Sequence, residues 1–271
     1  IGHQVPNHGF LIAGKFERGH HRGGGKMVGV YDRDRVRSIQ LLLHAVELMK
    51  QDESAKPPEQ ADVYEELANQ IGGDRYSEAW KLQGLTNLES LPDYNEEPGG
   101  HGGGRGFFSI PSSSTQFGRG RGFPIRSSKG APVHEDGNPV FHKLPESWEA
   151  AESDGERWRW ALEQQAVADP SRRSRVDLEW AKFLQSQFGV STAIAGPAPL
   201  VEQGSDEENA DLPPVHKLSD TETIAELATG VKRFDLPDEF NHIVILKKIV
   251  ARNDVQKSNA RESLIGVRMS R

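Results

Sequence analysis

The sequence contains no cysteine. That excludes disulfide cross-links, thiolate zinc sites and a cysteine nucleophile. No apolar run approaches the ~18 residues that a membrane-crossing helix needs, so no membrane span is expected. A secretory signal peptide is also missing from the first residues; the chain starts at Ile1 rather than Met, so a segment upstream is expected and an exported precursor stays open. Basic excess is absent as well: net charge is -7 and the isoelectric point is near 5.8. A dedicated nucleic-acid binder would carry a basic domain or stripe. Hydrophobic residues make up 35% and mean hydropathy is -0.64, which points to ordered parts interrupted by long solvated ones.

Catalytic patterns are missing too. No serine sits in a GxSxG elbow and no HExxH occurs. The glycine run "GGHGGGRG" is followed by "FFSIPSSSTQ". It therefore lacks both the preceding strand and the following helix of a dinucleotide fingerprint, and the lysine–serine/threonine ending of a phosphate loop. The carboxylates lie at helix starts and on polar faces, where capping and dipole effects account for them. The reading is of a non-enzyme, with no catalytic, cofactor-binding or metal residue to name and no cofactor. Among the ten histidines, His3, His8, His20 and His21 cluster in the first residues. No carboxylate stands at ligand spacing, and adjacent histidines on an extended segment point to opposite faces, so they read as solvated.

What is present is helical periodicity. In "DRDRVRSIQLLLHAVELMKQ" the residues Val36, Ile39, Leu43, Val46 and Met49 recur every three or four positions, with Leu42 widening the stripe. Asp32 or Asp34 is placed to accept the first free N–H groups. "PPEQADVYEELANQIGG" predicts a second helix, opened by Pro57 and Pro58, with Tyr64, Leu67, Ala68 and Ile71 inward and Gly72 and Gly73 closing it. A third, shorter helix is expected around Ala79 and Trp80, and "GDRYSEAW" is similar to the turn of a tetratricopeptide unit. "PESWEAAES" predicts a short helix ended by Asp154 and Gly155; "ERWRWALEQQAVA" predicts the next. From Pro170, "SRRSRVDLEWAKFLQSQFG" places Val176, Trp180, Phe183, Leu184 and Phe188 on one face before Gly189. "SDTETIAELATG" shows a capping-box pattern, Ser219 with Glu222, and predicts a helix with Ile224, Leu227 and Ala228 inward. "LPDEFNHIVILKKIVAR" predicts a last helix from Pro237 with Phe240, Ile243, Leu246 and Ile249 or Val250 inward.

The fold class is therefore mainly α: antiparallel helical hairpins in a tetratricopeptide-like or irregular helical array, with two long Gly/Pro/Ser-rich loops. Residues 1–31 read as an extended arm with short strands at Phe10 to Ile12 and Met27 to Tyr31. Residues 32–92 form one helical subdomain and 144–252 another, which contains a polar linker at 190–217. Residues 93–143 form a loop or disordered insertion, and 253–271 a polar tail that frays. Within the insertion, "FGRGRGF" with Arg105, Arg119, Arg121 and Arg126 is similar to an arginine–glycine nucleic-acid segment. Nucleic acid is the alternative partner; a solvated linker is the plainer reading.

The stretch "ESDGERWRWALEQQ" raises the question of an aromatic platform at Trp158 and Trp160. Helical geometry answers it. Trp158 shares a face with Leu162, whereas Trp160 is two positions away and points elsewhere. One ring is expected in the core, and the other on a neighbouring helix or under a loop.

Several blocks carry a family resemblance: "SEAWKLQGLTNLESLPDY", "GAPVHEDGNPVFHKLPESWEAAESDGERWRWAL", "FLQSQFGV" and "ETIAELATGVKRFDLPDEFNHI", with "FERGHHRGGG" and "DRDRVRSIQLL" upstream. Together, over about residues 15 to 249, they resemble the N-terminal helical region of large bacterial alpha-2-macroglobulin-like proteins of the planctomycete type. The resemblance implies an exported, periplasmic or extracellular protease-trapping protein with β domains, a bait segment and often a reactive thioester. This chain lacks the cysteine of a thioester. It would be the leading helical portion, a scaffold making interdomain or protein–protein contacts. Its partners would be other domains of the parent or other proteins, and a target protease would be met only through the parent's remaining domains.

Overall fold

The structure is a computed structural model that describes residues 6, 8–19, 22–72, 79–95, 133–134, 137–189, 219–227, 230–252 and 256–270. Much of the anticipated insertion (96–132), the linker 190–217, residues 73–78 of the tetratricopeptide-like turn, and His3, His20 and His21 lie outside those residues. So do Arg105, Arg119, Arg121 and Arg126.

The chain opens with a three-stranded antiparallel sheet in the order β2-β1-β3: β1 at His8–Ile12, β2 at Lys15–Arg18 and β3 at Lys26–Gly29. Ala13 and Gly14 turn β1 into β2 with φ of 48° and 79°. Positive φ at both positions is what the twist of a two-residue hairpin demands. The outer side of β3 is closed at Gly29, which exchanges backbone hydrogen bonds with Asn95.

The helices follow: α1 (Tyr31–Gln51), α2 (Pro57–Gly72), α3 (Asp154–Ala168), α4 (Arg173–Phe188), α5 (His242–Arg252) and α6 (Lys257–Ser270). The fold is mainly α, as the periodicity predicts. In α1, Val36, Ile39 and Val46 are buried, and Leu42, Leu43 and Met49 pack beside them. Its acidic first turn does not cap by side chain, however. Asp34 instead takes two hydrogen bonds from Arg18, at 2.7 and 2.8 Å, and Asp32 accepts one from Asn95, which ties the sheet to the helix. In α2 the four expected inward residues are joined by Ala61. Among the described residues, a 3-10 turn, Ala79–Gln83, stands where the sequence predicts the third helix.

Four other expectations are corrected. First, residues 146–153 form bends and turns, and Asp154 and Gly155 begin a helix rather than end one. Ser153 is the cap: its Oγ accepts from Glu156 N at 3.2 Å, while Glu156 accepts in return from Glu152 N at 2.8 Å. Second, "ETIAEL" is a strand. β4 (Glu222–Leu227) pairs antiparallel with β5 (Gly230–Asp235), Glu222 opposite Asp235. The Ser219 N–H does bond to Glu222, at 2.8 Å. The β-branched Thr223, Ile224 and Val231 and the partner strand outweigh that local helix signal. Thr223 is fully buried and its hydroxyl bonds to the carbonyl of Phe188 at the end of α4, at 2.5 Å.

Third, the polar tail is not frayed throughout. α6 packs on α5 with Ala260 and Val267 buried and Leu264 partly so. Fourth, the anticipated insertion is narrower than residues 93–143. Val140 and His142 are buried, and the Phe141 ring stacks on Phe240 at 4.4 Å. A smaller shift accompanies these. Asn241 caps α5, accepting from Ile243 N at 2.9 Å, and a 3-10 turn at Asp238–Phe240 occupies the start expected at Pro237. Gly189 caps α4 as the sequence predicts, with its N–H bonded to the Gln185 carbonyl at 2.8 Å; a Cβ there would lie 2.2 Å from that oxygen.

One hydrophobic cluster runs through α1, α2, α3, α4, α5 and α6. The two helical segments that the sequence separates thus share a core.

Candidate functional site

The tryptophans of α3 sit where α2, α4 and the segment before α3 meet. Trp158 and Trp160 are 3% and 8% exposed, so neither offers a platform to solvent. They lie in two nests, as the two-residue offset requires. The Trp158 ring centroid is 4.7 Å from Phe183 and 5.9 Å from Trp180, both on α4. Gly72 at the end of α2 is where Trp158 crosses: a Cβ there would come within 2.9 Å of its Nε1. Trp160 meets Tyr64 of α2 edge-on at 5.8 Å and Trp148 at 5.9 Å. The interleaved arginines close the nests. Arg157 lies 5.1 Å over the Trp148 ring, and Arg159 lies 4.6 Å over Trp180 and 5.1 Å over Phe240. Burial lowers both guanidinium pKa values, against the attraction of Asp154 for Arg157 and of Glu239 for Arg159. Cation–π contact of this kind compensates part of the desolvation.

At the start of α3 stands a buried ionic node that sequence reasoning missed. The Asp154 side chain is 4% exposed. It accepts from the Thr86 N–H at 3.0 Å, the Thr86 hydroxyl, Arg35 Nη2 at 3.1 Å and Arg157 Nη1 at 3.5 Å. Arg35 also donates from Nε to the Gln70 carbonyl at 3.0 Å and from Nη1 to the Thr86 hydroxyl at 3.2 Å. Arg157 donates to the Thr86 carbonyl at 2.8 Å. One carboxylate therefore joins α1, the end of α2, the 84–86 loop and α3. With its oxygens engaged this way, it acts as a structural tie.

Beside it lies His142, which is 7% exposed. Its ring rests on Gly155 so closely that a Cβ there would be 2.2 Å from Nδ1. Phe183 lies across from the ring at 6.0 Å, and the His142 carbonyl accepts from Arg159 Nη1 at 2.9 Å. Burial, and then the positive charge of Arg159, pull its pKa from 6.5 to about 4. Gly155→Ala is therefore expected to destabilise the fold by about 1–3 kcal/mol through overpacking, although alanine is the better helix former. Chemical denaturation checks this; an unchanged or raised midpoint would show that the ring yields freely.

Elsewhere, a surface network clamps α2 to α4. Arg172 bonds Glu65 at 2.9 Å and Asp62 at 2.5 Å, Arg175 also bonds Glu65, and Arg252 ties α5 to Asp177 of α4 at 2.5 Å. Leu41 and Leu48, seven positions apart on α1, are each 53% exposed on its outer face. Among the described residues, no three His, Asp or Glu side chains come together to hold a metal ion, and no helix is long and apolar enough to cross a membrane. Of the histidines weighed as ligands, only His8 is described, in β1.

Compared with protein-family models, curated proteins and solved structures, the chain matches none of them.

Proposed function

We propose that the chain is a non-catalytic helical scaffold module, part of a large alpha-2-macroglobulin-like protease-trapping protein. In this reading it is exported with its parent and holds interdomain or protein–protein contacts through a tetratricopeptide-like arrangement of helical hairpins. One observation carries the reading: the aromatic residues of the separate family-like blocks pack on one another. Phe141 with Trp148, Trp158 and Trp160, then Phe183 and Phe188, then Phe240 come from three distant blocks and share the hydrophobic core. Strings that resemble one family and meet in one core are what a common architecture requires. Protease capture then belongs to the parent's other domains.

An antibody raised against this chain tests the reading on extracts of the native cells. The expected result is a species far larger than the 30.0 kDa of these residues, in the periplasmic or extracellular fraction. A cytoplasmic species of about that mass would overturn it.

A further inference from the structure

The segment that runs into α3 has the construction of a latch. Residues 139–142 cross the ends of α3 and α4 without belonging to either. Phe141 stacks on Phe240 at 4.4 Å and tilts against Phe188 at 5.5 Å. The His142 carbonyl is held by Arg159, and the His142 ring is seated on Gly155 in the first turn of α3. Among the described residues, this stretch has no ladder beyond the Val133–Pro139 bridge. It is held by side chains, and one of them titrates.

We propose that residues 140–142 form an acid-released latch: protonation of the buried His142 ring drives it off the start of α3 and lifts Phe141 from Phe188 and Phe240, while the helical core stays folded. The argument is geometric. An imidazolium at this place would lie against the first turn of α3, at the positive end of the helix dipole, and beside the Arg159 guanidinium. Helix α3 also brings Asp154, committed to Thr86, Arg35 and Arg157, and Glu156 and Glu163, whose fields act on Arg159. Glu239 of the 3-10 turn before α5 is paired with Arg159 at 3.3 Å. From α4 the ring meets Phe183; within a turn of it stand Glu179, which shares its surroundings with Glu65, Arg175 and Lys182, and the exposed Lys182 itself. On its own segment Lys143 and Glu146 are exposed. Among the described residues, no carboxylate forms an ion pair with His142, so its added charge would go uncompensated.

The sign of the effect follows. The seated ring has a pKa near 4 and the released ring an ordinary one of 6.5. As pH falls through that window the released form takes up a proton that the seated form refuses, so seating weakens with acid. A fold with this device exposes the apolar patch formed by Phe188 and Phe240 when the surroundings acidify.

Hydrogen exchange of the 140–142 amides, corrected for the intrinsic pH dependence of exchange, tests the latch in the full chain. Opening is expected to rise about fifty- to a hundredfold between pH 7 and pH 4.5, from the difference between the two pKa values. Amides at Leu67 and Ala68 in α2 should hold their protection. In His142→Gln the same amides should open to a pH-independent extent. An equal pH slope in His142→Gln, or loss of α2 protection in step with the latch, would overturn the proposal. Should that variant fail to fold, titration of the His142 ring by NMR in the unmodified chain decides: a pKa at or above 6.5 refutes the latch.

Discussion

Replacing Asp154 with alanine is expected to cost about 3–5 kcal/mol, because it leaves two arginines buried without their carboxylate. For a chain of this size that corresponds to a melting-temperature drop of roughly 6–20 °C. The effect arises from what remains as much as from what is lost. Arg35 and Arg157 have side chains only 10% and 13% exposed, and Thr86 loses the acceptor for both its N–H and its hydroxyl. Removing the charges together should hurt less. In the double variant Arg35→Met and Asp154→Leu, the loss should be smaller than in Asp154→Ala alone, since Arg157 is then the one arginine of the two left without the carboxylate. An exposed pair provides the control: Lys247→Ala breaks the bond to Asp220 between side chains about half exposed, and should change stability by about 0–1 kcal/mol. Calorimetry of the three variants checks the order. A loss below about 1 kcal/mol in Asp154→Ala would show that the node is solvated and not a tie.

Trp158→Ala is expected to be comparably damaging, at about 3–5 kcal/mol, through the cavity left among Phe183, Trp180 and the end of α2. Trp158→Phe should recover much of it, since the ring contacts matter more than the indole N–H. If Trp158→Ala instead left stability unchanged, the ring would not be the keystone between α2 and α4 that its surroundings indicate.

The two tryptophans were legible from spacing alone. A two-residue offset on a helix separates side chains whatever they pack against, so the absence of a shared platform followed from geometry. The sequence predicts one of them in the core and the other on a neighbouring helix or under a loop; in the structure both are buried, because α3 is enclosed by α2, α4 and the 139–152 segment. Three other features were harder to read. Ser153 and Glu156 form a start signal as plain as Ser219 and Glu222, yet the first opens a helix and the second leads into a strand. Local signals cannot rank themselves; β5 decides the second case by supplying a partner. Among the described side chains of the 257–270 helix, Ala260, Leu264 and Val267 turn inward, a sparse stripe that α5 makes sufficient. The ionic node and the latch are non-local throughout. Arg35 and Asp154 are 119 positions apart, and no periodicity links His142 to Gly155. Charged residues read along a chain look solvated; only the packing of α1 against the start of α3 shows which are not.

Trp148, Trp158, Trp160 and Trp180 build a core and not a binding surface. Quenching of tryptophan fluorescence by acrylamide tests it most directly. The ring of Trp80 is not among the described side chains, so the measurement is made on Trp80→Phe. That leaves Trp148, Trp158, Trp160 and Trp180, all no more than 8% exposed. Blue-shifted emission is expected, with quenching several-fold weaker than in the denatured chain. Red-shifted emission, quenched in the folded protein as readily as in the denatured one, would contradict it.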